Sequence, residues 1–168
     1  MILLPEIAPL LAEDGIADLG SGTPNLAMRA QLQQLERELP AKAKSREFAL
    51  ACVAGLWLYH DFLDESHNIS QDLGTAEGSF WHAIMHRREG DFWNSKYWFR
   101  RCPQHPIFSE LSNQAASLTG EAPKTWDPFA FVDRCEAVAD EASVQLCRHI
   151  QRCEWDLLFQ FCHERAFG

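Results

Sequence analysis

Apolar residues recur at helical spacing along most of the chain, and this periodicity limits the folds open to it. The clearest case is the segment 142–166, whose apolar side chains fall three or four positions apart: Val144, Cys147, Ile150, Cys153, Leu157 and Phe161. Such spacing places them along one stripe of an α-helix. No segment alternates apolar and polar residues for long enough to predict a β-strand. The sequence therefore predicts an all-α fold.

Turn and capping residues divide the chain into about six or seven helices. Pro40 is expected to end the first helix, Gly90 the third, and Asp91 to cap the fourth. Asp127 followed by Pro128 marks another start, because Asp caps a helix and Pro fits its first turn. The predicted helices cover residues 25–39, 45–70, 80–89, 92–102, 107–118, 128–140 and 142–166.

The length of 168 residues fits one domain with one core. We expect residues 25–168 to form a single-domain helical bundle of antiparallel helix pairs. Residues 1–24, interrupted by Gly20, Gly22 and Pro24, are expected to form an N-terminal arm.

The net charge of -9 argues against nucleic acid and anionic membranes as partners. No apolar run is long enough to span a membrane, and the start lacks the basic segment of a secretory signal. The six cysteines show no zinc-finger spacing and are expected to be small core residues in a reducing cytoplasm.

The stretch 56–101 concentrates the residues that can carry chemistry, with four of the seven histidines. On the predicted helix 45–70, His60 and His67 occupy positions where the apolar stripe calls for leucine, and Asp64 lies beside that stripe. On the next helix, His82 and His86 are one turn apart, and Glu89 follows on the same face.

This pattern predicts a buried site made of His60, Asp64, His67, His82, His86 and Glu89. Two antiparallel helices joined by a short loop would turn these faces toward each other. Imidazole and carboxylate suit a divalent transition metal such as zinc, iron, manganese or nickel. Without a metal, a histidine and a carboxylate from the set form a base and its orienter for a small ligand.

Two other interpretations stay open. In the first, each buried histidine is paired within the core, and the protein is a helical module that binds a protein partner. In the second, a small anion binds Arg87, Arg88, Arg100 and Arg101, although arginines paired or stacked within the structure explain the same pattern. The aromatic content also leaves room for a homodimer interface. No nucleotide-binding, esterase or HExxH motif identifies a reaction, so enzymatic activity stays undecided.

Part of this stretch resembles a tetratricopeptide-type helical hairpin. The matching positions are Trp81, Ile84, Gly90, Asp91, Phe92, Ser95, Phe99 and Pro106. Met85 replaces the usual glycine, Arg88 stands where tyrosine is expected, and no second copy follows. The resemblance covers about 26 residues and implies a helix-turn-helix geometry.

Three further runs, HAIMHRREGDFWNSKYWFRR, WDPFAFVD and CEWDLLF, resemble an uncharacterised family of bacterial and fungal proteins. Together they make up about a fifth of the chain. The resemblance implies no activity, ligand or partner.

Overall fold

A computed structural model describes residues 3–11, 15 and 17–168. The described residues contain eight α-helices and no β-strand, so the predicted all-α bundle is confirmed. The helices are α1 Arg29–Lys42, α2 Arg46–Tyr59, α3 Leu63–Asp72, α4 Ala76–Glu89, α5 Phe92–Phe99, α6 Phe108–Thr119, α7 Pro128–Glu136 and α8 Glu141–Phe167.

The number of helices exceeds the prediction because the expected helix 45–70 is two helices. Asp61 stands between α2 and α3 with a φ of 63°, a left-handed conformation that a right-handed helix cannot contain. Its carboxylate accepts hydrogen bonds from Arg88 at 2.5 Å and from the backbone N–H of Thr23 at 3.2 Å. These partners, which are distant in sequence, stabilise the left-handed conformation of Asp61 between α2 and α3. The prediction that His60 and His67 share one apolar stripe was therefore wrong, because the two residues lie on different helix axes.

The expected end of the first helix at Pro40 was also wrong, since α1 continues to Lys42. Proline removes one backbone donor, and so near the C-terminal end it interrupts only the last turn. Leu32, Leu35 and Leu39 are buried on this helix, and their packing holds that turn in place.

Helix α4 has its side chains buried from Glu77 to Arg88 and lies at the centre of the bundle. Its first turn is capped by Thr75, whose hydroxyl accepts from the backbone N–H of Gly78 at 3.1 Å. Its end is set by Gly90, which adopts a φ of 83°, as a C-terminal glycine usually does. Helix α5 follows after a two-residue turn and packs against α4.

The main core is formed where α2 packs against α8, α1 and α3. The indole of Trp155 on α8 donates to the backbone carbonyl of Gly55 on α2 at 2.9 Å. Ile7 and Leu10 from the N-terminal segment are also buried in this core. Across residues 3–11, 15 and 17–168, no helix is both long enough and apolar enough to cross a membrane.

Candidate functional site

Three of the predicted ligands, His67, His82 and His86, come together between α3 and α4. One ligand atom from each residue lies within 4.8 Å of the others. The ring centroids are 4.5 Å apart for His67 and His82, 4.7 Å for His82 and His86, and 5.5 Å for His67 and His86. His82 and His86 are 1% and 6% exposed, whereas His67 is half-buried. The cluster therefore has one side nearer to solvent.

The connection between α3 and α4 holds the two helices close enough for these rings to meet. A Cβ atom added at Gly78 would lie 2.4 Å from Cβ of Leu73 and 2.7 Å from its carbonyl oxygen. Only glycine allows the first turn of α4 to approach the end of α3 so closely. On α4, His82 and His86 are then four residues apart and share a face toward His67.

A serine on α3 sets the orientation of the His82 ring. The hydroxyl of Ser70 lies 3.0 Å from Nδ1 of His82 and donates its hydrogen to the backbone carbonyl of His67 at 3.3 Å. Since that hydrogen is used, the Ser70 oxygen accepts from Nδ1–H of His82. The proton on Nδ1 leaves the lone pair of His82 on Nε2. The contact with Ser70 engages only Nδ1.

A carboxylate and an amide set the orientation of the His86 ring. Nδ1 lies 3.1 Å from Oε2 of Glu89, and Nε2 lies 3.1 Å from Nδ2 of Asn94. A carboxylate only accepts, so the proton is on Nδ1 and the Asn94 amide donates to Nε2. His86 therefore also carries its lone pair on Nε2. The contact with Glu89 is within the reach that a base and its orienter need.

Both buried histidines favour the neutral form. The pKa of His82 is lowered to about 3 by burial first, and then by the neighbouring charges of His86 and His67. Burial likewise lowers the pKa of His86, against the opposing effect of Glu89. Neutral imidazole is the form that coordinates a metal, because protonation uses the lone pair.

Aromatic side chains of α5 cover one side of the site. The ring centroid of Trp98 is 4.0 Å from that of His82, and Tyr97 makes an edge contact with Trp98 at 5.8 Å. The guanidinium of Arg101 lies 4.9 Å from the Trp98 ring centre. Trp98 thus separates the His82 ring from the cationic end of α5.

Two of the predicted ligands lie outside this group. His60 follows the last residue of α2, where burial lowers its pKa and its Nε2 has no hydrogen-bond partner among the described residues. Asp64 is exposed in the first turn of α3. Glu89 contacts His86 and acts on its orientation. Since the break at Asp61 changes the helix axis, His60 and Asp64 do not follow the spacing on which they were selected.

The four predicted anion-binding arginines differ in burial and in partners. Arg87 forms a fully buried pair with Glu154, with Nη2 2.5 Å from Oε2. Arg88 is 3% exposed and donates to Asp61 and to the backbone carbonyls of Leu58 and Gly20. Arg100 and Arg101 are exposed at the end of α5. The first two therefore hold helices together, and only the second two face solvent.

Ser70 and Asn94 contact the two buried histidines and were not among the predicted site residues. Ser70 follows His67 by three residues, so it shares a helix face with that histidine, a signal the sequence does contain. Asn94 reaches His86 only because the chain reverses at Gly90, and no short-range pattern gives that contact.

Comparisons of the chain with protein-family models, with curated proteins and with solved structures found no match.

Proposed function

We propose that this protein binds a divalent transition-metal ion through His67, His82 and His86. The observation that carries the proposal is the approach of three imidazoles from two helices, with one ligand atom of each within 4.8 Å of the others. A tetrahedral zinc ion bound at about 2.0 to 2.1 Å from each nitrogen needs ligand atoms about 3.4 Å apart. Binding then requires the ligand atoms to close by up to about 1.4 Å, which side-chain rotation supplies.

The hydrogen bonds around the site support metal binding. His82 and His86 each have a proton on Nδ1 held by an acceptor, Ser70 or Glu89, with the lone pair on Nε2. Metal-binding histidines commonly have this arrangement, because the acceptor fixes the tautomer and increases the basicity of the coordinating nitrogen. On binding, the ion replaces the amide of Asn94 at His86.

Zinc is the ion we expect. Three neutral imidazoles with one position left for water or a small ligand form a common zinc arrangement, and imidazole also accepts copper, nickel and iron. The group contains three histidines and no cysteine. A cysteine thiolate is the ligand that would favour copper(I) or an iron–sulfur cluster. Glu89 and Asp91 add negative charge near His86, which favours a cation.

The alternative in which these histidines are purely structural explains fewer of the contacts. A structural role accounts for Nδ1 of His82 and for both ring nitrogens of His86, which have hydrogen-bond partners. It gives no reason for three imidazoles from two helices to bring one ligand atom each within 4.8 Å of the others.

Competition titration against a chromophoric zinc chelator tests the proposal. We expect one ion per chain in the starting protein and at least a hundredfold weaker binding in His82→Ala. His60→Ala is the matched control, because His60 is buried to a similar degree, 7% exposed, but lies outside the group. Equal affinity in all three proteins would refute the proposal, as would binding lost equally in both variants.

A second function, binding of a protein partner, is favoured by the outer face of α5. Trp93 and Tyr97 are 72% and 42% exposed, and their rings lie nearly parallel with centroids 6.2 Å apart. Exposed aromatics are common at the centres of protein interfaces. Sedimentation of the wild type and of Trp93→Ala tests the homodimer form of this idea. A dimer that Trp93→Ala dissociates would support it, and a monomer at all concentrations would exclude it.

The cytoplasm remains the proposed location. The six cysteines are free thiols, as expected in a reducing compartment. Anion binding by Arg100 and Arg101 stays a prediction.

A further inference from the structure

A cavity of about 350 Å³ lies beside the loop 120–127, which joins α6 to α7. Described residues of α6, of this loop, of α7 and of α8 line it, and none of them belongs to the histidine cluster. Small-molecule sites in proteins have volumes of about 300 to 1,000 Å³. At about 30 Å³ for each water in the liquid, the space holds about twelve waters. A ligand of about ten non-hydrogen atoms therefore fits inside it.

Small side chains leave this space open, and hydrogen bonds hold its wall in place. Ala115 and Ala116 on α6 and Ala130 on α7 line the cavity, and a small side chain among packed helices leaves a void. Ser112 on α6 donates to the backbone carbonyl of Lys124 in the loop and accepts from its backbone N–H at 3.2 Å. These two bonds attach the loop to α6. The cavity is therefore part of the packed structure.

Two aromatic rings give the cavity apolar surface. Trp126 in the loop and Phe131 on α7 both line it, with ring centroids 5.3 Å apart and planes inclined by 50°. Ile150 of α8, which is 1% exposed, adds further apolar surface. Aromatic rings pack well against inclined or offset aromatic neighbours. This lining favours a ligand that contains an aromatic ring.

The indole N–H of Trp126 is a buried donor without an acceptor among the described residues. Buried polar atoms of folded proteins nearly all have a hydrogen-bond partner. Since Trp126 lines the cavity, a ligand placed there can bring an oxygen to this donor. The indole therefore favours a ligand that carries an acceptor.

The charges on the lining favour an anion. Asp127 accepts hydrogen bonds from two backbone N–H groups in the first turn of α7. Glu121 pairs with Lys124, whose Nζ lies 3.5 Å from its carboxylate. Arg134, in the last turn of α7, also lines the cavity and is exposed. A guanidinium binds a carboxylate through two parallel hydrogen bonds, so Arg134 offers a carboxylate ligand a cation that solvent can reach.

We propose that this cavity binds a small aromatic carboxylate, such as a phenyl-substituted alkanoate. The ring of the ligand lies against Trp126 and Phe131, its carboxylate pairs with Arg134, and one of its oxygens accepts from the Trp126 indole. Binding here is independent of the histidine cluster, because the two sites share no residue.

Titration with phenylpropionate, followed by NMR of the indole N–H signals, tests the site. The wild type should bind one equivalent, and the signal of Trp126, assigned with Trp126→Phe, should move downfield as its hydrogen bond forms. The neutral phenylpropionamide should bind about fivefold more weakly, because an exposed ion pair contributes modestly to affinity. No saturable binding at millimolar phenylpropionate would overturn the proposal, as would a Trp126 signal that stays in place at saturation.

Variants separate the two parts of the site. Arg134→Gln should weaken binding of phenylpropionate about fivefold and leave that of phenylpropionamide unchanged. Ala130→Leu should abolish binding of both, because the larger side chain fills the cavity. Arg100→Gln is the matched control, an exposed arginine outside the cavity, and should bind as the wild type does.

An equal loss in Arg100→Gln and Arg134→Gln would show a general effect of charge and overturn the assignment of Arg134. Full binding in a folded Ala130→Leu protein would place the ligand elsewhere. Should Ala130→Leu fail to fold, the exposed substitution Arg134→Gln and the Trp126 signal still decide the outcome.

Discussion

Acid should destabilise this protein through His82, and the size of the effect follows from its burial. The pKa of this ring is lowered to about 3 by burial first and by the charges of His86 and His67, whereas an unfolded histidine has a pKa of about 6.5. As the pH falls below about 6.5, the unfolded chain binds a proton that the folded protein does not take up until about pH 3. The folded state therefore loses stability throughout this window. Between about pH 7 and about pH 5 the loss from His82 amounts to about 2 kcal/mol.

Urea unfolding at these two pH values, with a chelator present, measures the effect. The wild type should lose about 2 kcal/mol more of its free energy of unfolding on acidification than His82→Gln does. Three other buried histidines, His60, His86 and His163, have pKa values lowered by burial and contribute in both proteins. Comparing the two proteins therefore isolates His82. An identical loss in the wild type and the variant would refute the reasoning, because His82 would then titrate alike in both states.

Three further predictions concern the contacts around the site and the central helix. Replacing Glu89 by Gln should weaken zinc binding about 10- to 100-fold without unfolding the protein, because the acceptor at His86 becomes a weaker one; unchanged affinity by titration would contradict this. Arg87→Met should cost about 3 to 5 kcal/mol in urea unfolding, because it strands the fully buried carboxylate of Glu154. Adding Glu154→Leu should restore most of that loss, and an equally unstable double variant would show that the charge is not the cause. Gly78→Ala should lower the free energy of unfolding by about 1 to 3 kcal/mol, since the added Cβ lies 2.4 Å from that of Leu73; a stabilised variant would show that helix propensity outweighs the clash.

Local signals in the sequence were sufficient for much of the fold. Gly90 and Asp127 end and begin helices as predicted, because caps depend on the residue and its immediate neighbours. The long final helix follows from its apolar spacing. Asp61 gives no comparable signal, since its left-handed conformation is held by Arg88 from α4. A contact between residues 27 positions apart cannot be read from helical periodicity.

The same distinction applies to the histidines. His82 and His86 were placed together correctly because their spacing lies within one helix. His67 lies beside them. It was selected on the expectation that it shares one helix with His60, whereas the chain breaks between the two residues. Ser70 lies one turn after His67 on the same face of α3, whereas the contact of Asn94 with His86 is given only by the packing of α5 against α4.

X-ray absorption at the zinc edge of the metal-loaded protein tests the central claim most directly. Three neutral imidazoles predict about three nitrogen ligands of histidine type at about 2.0 to 2.1 Å, with the remaining position filled by a light atom. The number of histidine ligands should fall by one in a His67→Ala sample that is still loaded. A first shell containing sulfur, or a spectrum of hydrated zinc without imidazole scattering, would contradict the account.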